Sequence, residues 1–111
     1  MPKRSPRLLV IDILDAIDKI EKYTKALNYS QFSEDDKTVD AVCRNLEIIG
    51  EAANRFPSEF TDQYPTIEWR KIVGLRNRIV HGYFGVDKEI IWEIVSNYIP
   101  KLKLEIVGLK V

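Results

Sequence analysis

The sequence predicts an all-α fold, an up-and-down antiparallel four-helix bundle with one short extra helical turn. Three observations carry that prediction. Apolar residues recur at three- and four-residue steps over long stretches, no segment sustains the two-residue alternation of a strand, and the five Gly and five Pro of the 111 residues fall at a few places only.

The first helix is expected from Arg7 to Leu27. Leu9, Ile13, Ile17, Ile20, Thr24 and Leu27 form one stripe, with Asp15, Asp18 and Lys22 on the other side. The second should open at Ser33 as N-cap, with Glu34, Asp35 and Asp36 at the positive end of the helix dipole. Its stripe is Val42, Leu46, Ile49, Ala53 and Phe56, and Pro57 stops it; Ile48 and Ala52 lie off the stripe and hint at a second neighbour. A short turn, Ser58 to Gln63, leads to Pro65. The third helix begins near Thr66 with Trp69, Ile72, Val73, Leu75, Ile79 and Val80 inward, and Gly82 and Gly85 mark its end. Asp87 caps a fourth helix carrying Ile91, Ile94, Val95, Tyr98 and Leu102, which Pro100 should kink or break.

With 45% hydrophobic residues the chain is too apolar for a disordered tail, and its length suits one domain, residues 1–111. Seventeen basic residues balance seventeen acidic ones, so no global field recruits nucleic acid, and any RNA contact must be a local patch. A lone cysteine, Cys43, fits a reducing compartment. Asp12 interrupts the apolar start before a signal core accumulates, no stretch reaches a membrane span, and a cytoplasmic location is expected. One His and one Cys exclude a zinc-type ligand set; no metal site and no cofactor are expected, and neither a P-loop nor a dinucleotide fingerprint is present.

One segment disobeys its own pattern. On a wheel with Ile72 as origin, Arg76 falls inside the apolar arc of the third helix, and Tyr83 falls on it one heptad later, while Asn77 and His81 share another face. A structural explanation is an interhelical ion pair with Glu47 or Glu51. His81 alone reads as a dipole-stabilising cap, and Tyr83 alone as a packing residue. Together, an Arg for anionic oxygens, a His for proton transfer and an Asn to orient one of them suit phosphate-ester chemistry without a metal. Arg70, Lys71, Arg76 and Arg78 concentrate positive charge on the same helix, making Arg70, Lys71 and Arg78 candidate RNA contacts.

The stretch RNRIVHGYFGVD, Arg76 to Asp87, resembles the Arg–polar–three residues–His signature of the HEPN ribonucleases, followed by the His–any–Tyr extension of the HepT toxins. The segments Thr38–Pro57, Tyr64–Asp87 and Ile90–Leu102 are similar to HepT-type sequence in the same order, so the resemblance covers nearly the whole chain. An Arg-x4-His spacing alone is weak, but its setting within RNLEIIGEAA…YP…W…RNR…HGYFG is specific. Many relatives carry a second proline before the tryptophan, where this chain has Glu68, a difference in the loop and not in the chemistry.

The resemblance implies a helical HEPN fold, a homodimer and a metal-independent RNase, the toxin of a two-gene module. Its antitoxin would be a minimal nucleotidyltransferase of the MntA type that transfers AMP to the motif tyrosine. Carried over by position, Arg76 and His81 are the catalytic pair, Asn77 is the supporting polar residue and Tyr83 is the modification site. RNA, a second copy and the antitoxin are the expected partners, with no membrane and no DNA. Two other readings stay open: a non-catalytic subunit that presents a surface or substrate to a nucleotidyltransferase, and a plain helical scaffold with Arg76 in an ion pair.

Overall fold

The computed structural model of the chain describes residues 4–79 and 85–111. The described residues are helical almost throughout, as the spacing predicts, and their buried apolar side chains form one cluster. Helix α1 spans Pro6–Thr24, α2 Tyr29–Glu34, α3 Asp36–Asn54, α4 Ser58–Thr61, α5 Trp69–Val73, α6 Leu75–Ile79, α7 Lys88–Glu93 and α8 Ile99–Val107, with a π-helical segment, Ile94–Tyr98, between the last two.

The spine is the pair α1–α3. Leu9, Ile13, Ile17 and Ile20 of α1 are completely buried, as are Val42, Leu46 and Ile49 of α3. Ser5 caps α1 by accepting from the Leu8 N–H, and Pro6 follows, where its missing N–H costs nothing. The helix ends three residues earlier than its apolar stripe, because Ala26 takes a left-handed φ of 67°.

The cap expected at Ser33 lies two residues further on. Asn28 and Gln31 form a capping box that starts the extra helix α2, inside which Ser33 donates to the Ser30 carbonyl. What makes α2 worthwhile is Phe32, fully buried with its ring 5.0 Å from that of Trp92. Asp35 is then the true cap of α3, accepting from both the N–H and the hydroxyl of Thr38. These two bonds to the ionised form hold the Asp35 carboxyl below the usual carboxylate range.

Ile48 and Ala52 find their neighbour within the chain. Ala52 is buried, and both residues share a shallow cavity with Leu9 and Asp12 of α1. Their place off the stripe is thus accounted for without a second copy.

The loop to the third helix is set by aromatic packing. Phe56 and Phe60 stack at 5.0 Å, Trp69 closes on Phe56 at 5.1 Å, and its indole N–H donates to the Tyr64 carbonyl at 3.2 Å. The third rod is bent, not continuous: Gly74, at φ −81° and ψ 1°, steps out of helical geometry between α5 and α6. Its counterpart at the other end of the chain is the π segment. Pro100 lacks an N–H and its ring crowds the turn before it. The chain answers by widening, so that the Ile99 N–H donates to the Ile94 carbonyl five residues back, and α8 resumes with Pro100 in its first turn. The proline kink expected from sequence is a π bulge. Among the described residues no helix is long and apolar enough to cross a membrane.

Candidate active site

The α5–α6 rod meets the spine at Gly50. A Cβ there would lie 3.2 Å from the Val73 carbonyl oxygen and 3.3 Å from that of Ile72, so α3 can approach this backbone only because residue 50 has no side chain. The approach fixes the height and rotation of the rod that carries the arginines.

Ile72, Leu75 and Ile79 are the buried residues of that rod. Val73, placed inward by the wheel, is 37% exposed. With Val73 removed from the apolar arc, the arc's centre moves, and at about 100° per residue the polar side chains sort themselves into three directions. Arg76 sits on one flank, Lys71 and Arg78 share the other, and Arg70 and Asn77 point outward; all five are exposed. Arg76 is therefore not an arginine among core aliphatics. It stands at the core's edge with two-thirds of its side chain in solvent.

There Arg76 faces α3. Its Nε lies 3.6 Å from Glu47 Oε1, the first of the two ion-pair partners expected from sequence. The separation exceeds a hydrogen bond, and side-chain exposures of 66% and 38% keep the pair wet. Such a pair is worth no more than about 1 kcal/mol. It orients the guanidinium without consuming its donors.

His81 and Tyr83 lie outside the described residues, as do Gly82 and Val80, so their expected roles rest on sequence. The two flanks of that stretch are tied together. The Asp87 N–H donates to the Ile79 carbonyl at 2.9 Å, and the Asp87 carboxylate caps α7 by accepting from Glu89 and Ile90 N–H groups, as expected. Lys88 then anchors this corner to the end of α2, donating to the Ser33 carbonyl at 2.8 Å. Gly85 has φ +95°, a conformation that requires glycine.

On the other flank, the Lys71 ammonium lies 4.9 Å and the Arg78 guanidinium 5.9 Å from the centre of the Tyr98 ring. Burial, reinforced by Glu105, pushes the Tyr98 hydroxyl up to about 12, so it stays neutral. Arg70 is not brought to this group. Cys43, half-buried on α3, has its thiol pushed up to about 11 by burial and then by Asp40, which removes it from nucleophilic chemistry at neutral pH. No cluster of three metal-ligating side chains exists among the described residues.

The comparisons with known proteins place these features in a family. The Ribonuclease HepT-like family model matches residues 13–107. A Thermococcus cleftensis protein named "Probable ribonuclease HepT" is 43% identical over 101 residues, covering 91% of this chain and 92% of its own length. A Methanocaldococcus jannaschii protein whose name marks it as a candidate RNase is 41% identical over 100 residues, covering 90% of this chain and 83% of its own. A protein of similar name from Caldanaerobacter subterraneus is 34% identical over 103 residues, covering 93% and 92%. No solved structure matches the chain. With the match running from the middle of α1 to the end of α8, and the exposed Arg76 inside it, the chain belongs to the HepT-like ribonuclease family.

Proposed function

We propose that the chain is a metal-independent endoribonuclease and the toxin of a toxin–antitoxin pair, with Arg76 and His81 as its catalytic pair. The observation that carries this reading is the state of Arg76. In a ribonuclease-like chain its guanidinium is exposed and held only at 3.6 Å by Glu47, so a phosphate oxygen can take the carboxylate's place. A scaffold role needs the opposite, a buried pair whose loss leaves an uncompensated charge.

In this mechanism His81 takes the proton of a ribose 2′-hydroxyl as its oxygen attacks the adjoining phosphorus. The bond to the 5′-oxygen of the next nucleotide breaks, and that oxygen leaves with a proton. The products are a 2′,3′-cyclic phosphate and a 5′-hydroxyl. Arg76 stabilises the charge gathering on the non-bridging oxygens, and Asn77 orients the pair. An isologous dimer sets two such pairs in one cleft. The antitoxin is a minimal nucleotidyltransferase. The Tyr83 phenol oxygen attacks the α-phosphorus of ATP, pyrophosphate leaves, and the resulting AMP ester occupies the space the RNA phosphate needs.

The test is cleavage of RNA by purified protein in EDTA, beside His81→Ala and Arg76→Ala. Each variant should lose on the order of 10²-fold in rate with its fold intact. Full activity of folded His81→Ala, or strict dependence on divalent metal, overturns the assignment. An inert wild type returns the case to a non-catalytic subunit of a nucleotidyltransferase. Coexpression with the cognate nucleotidyltransferase should add mass in whole AMP units, and Tyr83→Phe should abolish the increments and restore toxicity. Light scattering should find a dimer.

A further inference from the structure

The flank of the rod opposite Arg76 opens on a cleft that the catalytic reading does not use. It encloses about 230 Å³ between the α5–α6 rod and the π segment with the start of α8. Ile94, Asn97 and Tyr98 line it from the π segment, Lys71 and Arg78 from the rod and Lys101 from α8, with Glu93 at the end of α7 its one carboxylate.

Three features set this cleft apart from an ordinary solvated patch. Among the described residues none of Lys71, Arg78 and Lys101 is paired with a carboxylate, whereas Arg76, Lys88 and Lys103 all are. Two of the free cations are also gathered over one ring, at 4.9 and 5.9 Å from the Tyr98 centroid, where like charges otherwise separate. The cleft wall is the π segment, a distortion that recurs at functional sites and that turns Asn97 and Tyr98 toward the rod. Three cations against one carboxylate, an amide donor and a neutral phenol suit a phosphodiester.

We propose that this cleft is a phosphodiester subsite for the RNA strand, in which Lys71, Arg78 and Lys101 hold a backbone phosphate removed from the one that is cut. The inference rests on the ribonuclease reading and adds a second contact to it. Arg76 and this cleft lie on opposite flanks of one helix, a separation of about the 10–12 Å helix diameter. One phosphodiester cannot touch both, so the subsite acts only on substrates long enough to cross the rod.

The experiment uses the full chain with the double variant Lys71→Ala/Lys101→Ala, both exposed side chains. On a single-stranded oligoribonucleotide, KM should rise on the order of tenfold with kcat unchanged, and the slope of log affinity against log salt should shrink by about 1.4. Cleavage of a dinucleoside monophosphate should be untouched. An equal loss on both substrates, or no change on the longer one, overturns the subsite. Equilibrium binding of the labelled oligoribonucleotide to His81→Ala protein, read by fluorescence anisotropy, separates the two proposals. Binding that weakens tenfold in the added double substitution supports the cleft even where the wild type cuts nothing. Binding unaffected by it overturns the cleft and leaves the nuclease reading standing.

Discussion

The α1–α3 spine and the α5–α6 rod are built to opposite specifications. Each spine helix runs 19 residues without interruption, opens on a side-chain cap and buries a continuous stripe. The rod joins α5 to α6 at Gly74, and Ile72, Leu75 and Ile79 are its buried anchors. Its charged side chains divide, with Arg76 toward α3 and Lys71 with Arg78 toward Tyr98. A helix of five residues such as α5 is not stable alone in water, so this part of the rod exists because the spine holds it. On the proposed function, fold stability and phosphate recognition reside on different elements, and a substitution should disturb one without the other.

The largest expected effect is the sharpest break between them. Leu46→Ala empties a fully buried position of the spine and should cost about 2–5 kcal/mol in urea unfolding, lowering activity only through the folded fraction. Arg76→Ala should change stability by no more than about 1 kcal/mol, since its pair with Glu47 is solvent-exposed, while the rate falls on the order of 10²-fold. Equal losses of stability in the two variants would erase the division and make Arg76 a structural residue.

The same division decides what was legible in the sequence. The stripes of α1 and α3 read directly, because uninterrupted helices keep one phase and nearly every residue assigned inward is buried, Leu27 beyond the end of α1 excepted. The rod did not, because Val73 is apolar yet 37% exposed, and counting it as core rotated the apolar arc onto Arg76. The start of α3 was misplaced from Asp35 to Ser33 because both are good caps, and only the Asn28–Gln31 box and the buried Phe32 reveal the intervening helix. The wheel draws attention to Arg76, Asn77, His81 and Tyr83, but their roles come from resemblance to a family. Asn97 and Lys101 gave no signal at all: they reach the cleft through a π bulge, and a wheel at 3.6 residues per turn cannot represent one.

Gly50 is where the two regions touch, and Gly50→Ala tests how tightly they are coupled. Alanine improves helix propensity by up to about 1 kcal/mol. Against that gain stand two backbone carbonyl oxygens at 3.2 and 3.3 Å from the new methyl, which cannot rotate aside as a side chain would. Overpacking of about 1–3 kcal/mol should prevail, giving a net loss of about 1 kcal/mol. The rod must shift by a few tenths of an ångström, so the Arg76–Glu47 geometry moves with it and kcat should fall several-fold at full folding. A stabilised variant with unchanged kcat would mean that the rod slides freely on α3.

The smallest effect separates the regions by pH. Asp12 of α1 accepts two hydrogen bonds from Arg4, at 2.6 and 2.8 Å, and these, with the charges of Arg4 and Arg55, hold its carboxyl below the usual range. The Asp35 cap of α3 is depressed in the same way by Thr38. A depressed carboxyl contributes stability that is fully present above its unfolded pKa, about 3.9, and is lost as pH falls through the folded value. Both groups belong to the spine, so the urea midpoint should hold steady from neutral pH down to about pH 5 and then decline into acid. Asp12→Asn and Asp35→Asn should each flatten that decline, because the amide has no charge to lose. Lys103 supplies the opposite window. Its bond to Glu21 at 2.8 Å raises its pKa, so the stability it contributes is present below its unfolded pKa, about 10.4, and is lost as pH rises through the folded value. This contact again joins α8 to α1. An acid decline that persists undiminished in the Asp12→Asn/Asp35→Asn double variant would place the acid-sensitive contacts outside the spine, and the separation of the two regions would fail at its weakest point.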